Sequence, residues 1–328
     1  MISLFISAVL SGNIKAQSGD FSNYQWSAIA ATGEPVARHE NAFVEFEGKF
    51  YLMGGRGIKP VNVFDPSTNE WEQKANTPIE FHHFQPVVYQ KAIYIVSALT
   101  GPYPTEVPIS HVWIYHPARD VWEKGSEIPA AFQRGGAGAV LRSNRIYVVC
   151  GITYGHTSGT TNAMSYYDLG NSKWTALTKA PHVRDHFTAV IVENQLYCIG
   201  GRNTSVHHPA DFTAFFGATV SDIDVYDFDA NKWVTLKEKL PIATAGAGVV
   251  SRGDYIFYIG GESAQDTAHS ETQVFDVKTR QWRTWSPLVV GRHGSQAVQY
   301  QRKIYLAAGS PKRGGGNMNS IEVFELKK

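Results

Sequence analysis

Arginine and histidine recur in this chain beside short apolar runs. One set follows a pair of small residues: Arg56 after Gly54-Gly55, Arg202 after Gly200-Gly201, and Glu262 after Gly260-Gly261. A second set leads into apolar runs: Arg38-His39, His82-His83, Arg134, Arg184-Asp185-His186 and Arg292-His293. Guanidinium forks match carboxylates and sulfates in a bidentate way, so Arg38, Arg56, Arg134, Arg184, Arg202 and Arg292, with His83, predict a binding site for an anion. Histidine changes charge near neutral pH, so Glu262 with His186 or His293 would supply an acid-base pair. A competing reading gives each arginine a structural task, pairing with a neighbouring carboxylate or capping backbone carbonyls, while the histidines simply pack. Few acids stand at the equivalent positions, Glu262 and Asp185 being the visible ones. Uncompensated like charge is costly, which favours a site left open for a counter-charge.

The elements that hold these residues repeat. Tyr51, Tyr94, Tyr147, Tyr197, Phe257 and Tyr305 each stand three residues before the small pair. An aromatic-polar pair follows in every repeat, as Phe64-Asp65, Tyr115-His116, Tyr167-Asp168, Tyr226-Asp227, Phe275-Asp276 and Phe324-Glu325. Seven residues after that aromatic comes Trp71, Trp122, Trp174, Trp233 or Trp282; the sixth repeat reaches Lys328 without its tryptophan, and Trp26 is the one left over. A period of roughly 50 residues with four short strands is the mark of a propeller blade. The hydrophobic run into Gly-Gly, the Tyr-Asp and the Trp resemble the kelch family over about residues 21 to 328.

That resemblance implies an all-β, six-bladed kelch propeller, closed by the strand around Trp26 as the outer strand of the last blade. It also implies that both sets of arginines and histidines converge at one mouth of the central channel. A closed repeat array of this length is a single unit, so residues 18–328 are expected to form one propeller. Ile2 to Leu10 is an apolar run followed by small residues. It reads as a signal peptide over residues 1–17, too short to span a bilayer, and predicts a secreted or periplasmic protein. A net charge of +1 with 18% charged residues gives no field toward nucleic acid, and no membrane insertion is expected. Cys150 and Cys198 read as buried free thiols, although a disulfide is not excluded by sequence.

The connections after the small pair vary most, and varying loops on a repeated scaffold are where function is placed. From Gly55 to Phe64 is nine residues, but from Gly201 to Tyr226 is twenty-five. That insertion carries His207, His208, Asp211, Phe212, Phe215 and Phe216, and is expected to fold down over the propeller face or a ligand. Ser310 to Asn317 reads as a rim loop carrying Lys312 and Arg313. Tyr103, Tyr154 and Phe212 offer stacking surfaces for sugar rings. Glu262, Asp266 and His269 resemble the iron-binding pattern of nitrile-specifier kelch proteins but read better as a solvated loop, so no metal and no cofactor is expected.

The chain is also similar to N-acetylneuraminate epimerases, sialate mutarotases in which a Gly-Glu step like Gly261-Glu262 and a nearby arginine are the proposed acid-base and carboxylate-binding groups. No arginine follows within Glu262 to Glu271. It is similar too to galactose-oxidase-type kelch proteins, but copper-radical chemistry is not expected because neither cysteine accompanies a tyrosine on a rim loop. Gly200-Gly201-Arg202-Asn203 resembles the step by which kelch adaptors grip acidic peptides. Three readings stand: binding of an acidic carbohydrate or other small anion by a monomer; a sugar mutarotase, epimerase or lyase at the same site; and a protein-interaction scaffold.

Overall fold

A computed structural model describes residues 21–327; the segment read as a signal peptide lies outside them. Six four-stranded antiparallel sheets follow one another along the chain. Blade 1 comprises Asn41–Phe46, Lys49–Gly54, Pro60–Asp65 and Glu70–Asn76. The innermost strands of blades 2 to 6 are Val87–Tyr89, Gly138–Arg142, Ala189–Val192, Gly248–Arg252 and Ala297–Tyr300. Each packs on the innermost strand of the next blade, and blade 6 returns to blade 1, so the circuit is closed. Blades 1 and 4 therefore face each other across the axis.

The repeated aromatics explain why these strands pair in this register. Phe64 lies opposite Trp71 on the neighbouring strand, and Tyr115–Trp122, Tyr167–Trp174, Tyr226–Trp233 and Phe275–Trp282 repeat the pairing. Ring centroids in these five pairs stand 4.9–5.3 Å apart. Cross-strand aromatic pairs fix register because a one-residue slip would send every ring to the other face of the sheet. In blade 6 the same pair is Phe324 opposite Trp26 of Tyr24–Ala28, the strand that completes the sheet from the other end of the described chain. Trp26 Nε1 also donates to Thr272 Oγ1 of blade 5 at 2.8 Å. Closure of this kind leaves neither end of the array as an open edge between blades.

At the axis, a residue one to four positions ahead of each innermost strand adopts a left-handed conformation: Glu40, His83, Gly136, His186, Gly246 and Gly294. Their backbones join neighbouring blades, with His83 N donating to Glu40 O, Gly136 N to His83 O, Gly246 N to His186 O, and Gly294 N to Gly246 O. Glycine is required at 294, where a Cβ would meet Glu40 N at 2.8 Å. Glu40, His83 and His186 take the same strained conformation without being glycine, which costs of order 1 kcal/mol each and turns their side chains toward the channel. Cys150 and Cys198 are free and buried in the cluster between blades 3 and 4.

Candidate functional site

The six arginines separate into two groups. Arg38, Arg134, Arg184 and Arg292 stand two residues before the left-handed position and are at most 3% exposed. Each guanidinium points into its own blade and donates to the carbonyl sixteen residues on: Gly54, Cys150, Gly200 and Ala308, at 2.7–3.0 Å. That carbonyl lies at or just beyond the end of the second strand, where the chain leaves the ladder, and the arginine fork supplies the missing donors. Arg134 shows the arrangement without any acid, bonding Cys150 O, Phe132 O, Val148 O and Ser165 Oγ. Arg184 adds Asp224 at 2.6 Å, and Arg292 adds Glu322. Burial brings Arg38 and Arg134 down to about 10, so both stay charged at neutral pH. The expectation that these four line an anion site is therefore corrected: they are fork-shaped caps on strand ends, and no guest reaches them. In blade 5 the Thr244 hydroxyl bonds the same carbonyl, Gly260 O, at 2.8 Å. In blade 2, Phe81 fills the position and packs on Trp113 and Trp122.

Arg56 and Arg202, which follow the glycine pairs of blades 1 and 4, reach the channel mouth from opposite sides. They border a cavity of about 410 Å³ with His39, Glu40, Tyr103, His156, Phe216 and Glu262. A narrow neck of about 50 Å³ continues below it, lined by Glu40, His83, His186, Glu262 and His293. Neither mouth arginine is uncompensated. Arg56 Nε lies 2.7 Å from Glu40 Oε2, and its Nη2 lies 2.7 Å from Glu106 Oε1. Arg202 Nη1 pairs with Glu262, its Nε donates to Thr204 Oγ1 at 2.9 Å, and its guanidinium lies over the Phe215 and Phe216 rings. The expectation of a rim with few acids is corrected too: Glu40 and Glu106 balance Arg56.

These contacts set the charge states. Burial acts to raise Glu106, but its hydrogen bond and charge contact with His156, then the hydrogen bond with Arg56 and the charge contact with His83, outweigh it and hold the carboxyl down to about 2. Burial likewise pushes Glu262 up, while His293, Arg202 and the Gly314 amide pull it below its ordinary range. Glu262 is thus a carboxylate at neutral pH. Burial drives His83 and His186 well below the ordinary histidine value, leaving both neutral. Asp185, beside His186, is pushed up by burial.

Of the residues singled out for catalysis, Glu262 and His293 meet, with Oε2 and Nε2 3.3 Å apart. His186 is held differently: its Nδ1 is 2.5 Å from Asp185 Oδ1 and its Nε2 is 3.1 Å from His156 Nε2. An arginine does stand beside Glu262, supplied by the preceding blade as Arg202 rather than by the residues that follow in sequence. The Glu262, Asp266, His269 set does not converge: Asp266 is exposed and pairs with Arg313, while His269 bonds Ser263 and Glu271. Glu40, Glu106 and His156 also belong to the site, outside the residues that the sequence pattern singles out. Glu40 directly follows Arg38-His39 and was readable by counting one position further; Glu106 and His156 lie on connections with no repeat register.

The long blade-four insertion folds onto the propeller's own face. A 3-10 turn over Phe212–Gly217, capped by Asp211 bonding Thr213 N, buries Phe215 and Phe216. His207 stacks on Phe212 and bonds Thr157 O of blade 3. From the other side, Gly314 N of the C-terminal loop donates to Glu262 Oε2 at 2.7 Å. Tyr103 enters the cavity wall, whereas Tyr154 is 65% exposed and outside it. Among the described residues no helix is long and apolar enough to cross a membrane.

Comparison with known proteins agrees with this architecture. Residues 87–309 match the KLHDC2/KLHL20/DRC7 Kelch-repeats domain. Kelch-like protein terF of Aspergillus terreus is 26% identical over 92% of this chain and 68% of its own length. Kelch-like protein 23 of Homo sapiens is 25% identical over 84% of this chain, which spans 46% of that protein. Alpha-scruin of Limulus polyphemus is 27% identical over 61% of this chain and 21% of its own length. The chain therefore spans about two thirds of the first of these relatives and less than half of the other two. The solved structure of YjhT superposes with a TM-score of 0.72 at 13% identity, covering 90% of this chain and 99% of that one, a likeness of fold. The six closed blades and these matches place the chain in the kelch-repeat family of β-propellers.

Proposed function

We propose that the mouth cavity binds a small hydroxyl-rich molecule bearing an acidic group, an acidic sugar being the class that fits. The observation that carries this reading is the pair Arg56 and Arg202, facing each other across one cavity, Arg56 held by two carboxylates and Arg202 by a carboxylate and a hydroxyl. Such pairing fixes the guanidinium planes in advance, and each keeps a terminal nitrogen, Arg56 Nη1 and Arg202 Nη2, outside these bonds. The carboxylates accept from sugar hydroxyls, while Tyr103 and Phe216 give apolar surface. A volume near 410 Å³ suits one or two sugar units. Titration calorimetry with uronates and sialates against neutral sugars tests this. Binding of the acidic members, weakened at least tenfold in Arg56→Ala and Arg202→Ala, is expected. Equal binding of neutral sugars, untouched by either variant, would overturn it.

A second reading is favoured by the Glu262–His293 contact, a carboxylate and an imidazole 3.3 Å apart at the cavity floor. In that reading the bound sugar is isomerised, with Glu262 as base and His293 returning the proton. Anomer exchange followed by NMR, lost in Glu262→Gln with binding retained, is the expected result; exchange at the same rate in that variant excludes it. Export through the N-terminal apolar run belongs to the same proposal, and N-terminal sequencing of secreted protein starting near Gln17 tests it.

A further inference from the structure

Three buried histidines meet where the mouth cavity narrows into the neck, and each comes from a different blade or loop. His156 stands on the connection after the small pair of blade 3 and borders the cavity, while His83 and His186 line the neck. One nitrogen of each lies within 4.8 Å of the others.

The hydrogen bonds around the cluster fix how these rings face. His186 Nδ1 is 2.5 Å from Asp185 Oδ1, a carboxylate that also accepts from Thr204 N, Thr204 Oγ1 and Thr160 Oγ1. His156 Nδ1 lies 3.0–3.1 Å from the Glu106 oxygens, themselves tied to Arg56. A carboxylate accepts, so each ring places an N–H at Nδ1, and in a neutral ring the lone pair then lies on Nε2. Those two Nε2 atoms are 3.1 Å apart. Two lone pairs at that distance repel unless a proton or a metal ion stands between them, and two nitrogens each about 2.0–2.1 Å from one tetrahedral ion are about 3.3 Å apart. His83 is the third ring: its Nδ1 lies 2.6 Å from His82 Nδ1, and its buried Nε2 lies 3.0 Å from Glu40 Oε1 without an aligned hydrogen bond. A histidine whose second nitrogen is held by a carboxylate is the arrangement that orients metal ligands.

We propose that His83, His156 and His186 bind one divalent transition-metal ion of the zinc or cobalt class, with Asp185 and Glu106 holding the ligand rings. Imidazole donors suit this class, and three protein ligands leave a further position for water or a guest. The inference contradicts the expectation of no metal drawn from sequence, and it stands whatever occupies the cavity above.

The test uses the untagged full chain, stripped with a chelator and given Zn²⁺ or Co²⁺ alone. Elemental analysis after dialysis is expected to show one ion per chain, with Co²⁺ giving the d–d absorption of nitrogen ligands. His156→Gln and His186→Gln should each weaken binding at least 100-fold, and Glu106→Gln by 10–100-fold with circular dichroism unchanged. Should the histidine variants fail to fold, the wild-type stoichiometry and the Glu106→Gln loss still decide. Retention of less than a tenth of an equivalent, Co²⁺ binding unchanged in Glu106→Gln, or a histidine ¹⁵N spectrum indifferent to Zn²⁺ with a proton shared between His156 and His186 would each overturn the proposal.

Discussion

Arg134 and Arg56 are the same residue type, both beside a blade's inner strands, yet the fold employs them in opposite ways. Arg134 is 3% exposed and spends its donors on three carbonyls and a serine hydroxyl of its own blade. Arg56 has a side chain 26% exposed and bridges Glu40 and Glu106 at the cavity wall. The difference comes from place in the repeat. A residue two before the left-handed turn starts behind the sheet and can only reach the carbonyls of strand ends. A residue after the small pair has already crossed the rim and reaches the axis.

The largest effect expected from breaking this comparison falls on the buried group. Arg292→Met leaves the Glu322 carboxylate buried without its cation, and a loss of about 3–5 kcal/mol is expected in urea unfolding. Trp26→Ala removes the closing aromatic pair and should cost about 3 kcal/mol or more, read as a lower midpoint with unchanged slope. Phe216→Ala, which takes away the ring under Arg202 and one cavity wall, should cost about 2–3 kcal/mol and weaken ligand binding as well.

Acid titration sharpens the mouth side. Glu262 sits below its ordinary range when folded, so the unfolded chain binds the proton more readily. Its contribution is fully present above the ordinary carboxylate value of about 4.3 and is lost as pH falls below that value through the folded one. Unfolding free energy measured across that window should flatten in Glu262→Gln. The smallest effect concerns the thiols. Burial pushes Cys150 up to about 12 and Cys198 upward as well, so neither should label with an alkylating reagent near pH 8 until the chain unfolds.

Most of the fold was legible in the sequence because it is written six times. Aromatic spacing announced the blades, and the tryptophan missing from the sixth repeat pointed to Trp26. The site was legible only where it shares that register. Arg56, Arg202, Glu262 and His293 stand at repeat positions, and the structure brings them to one mouth. Glu106 and His156 belong to connections of irregular length, so only the folded ring shows that they meet Arg56 and His186. Register also misled. Arg38, Arg134, Arg184 and Arg292 recur with the regularity of a ligand ring, but a recurrence in every blade also suits a task each blade has alone. Capping the carbonyl sixteen residues on is such a task, and Thr244 performing it with a hydroxyl shows that charge is not its essence.

A charge-conserving pair of variants tests this division most directly. Lysine keeps the cation but not the fork, so it cannot hold the several carbonyls around Arg134, whereas a point charge still sits between Glu40 and Glu106. Urea unfolding of Arg134→Lys is expected to show a loss of about 3 kcal/mol or more, against less than about 1 kcal/mol for Arg56→Lys. Equal losses, or a larger one at Arg56, would contradict the account.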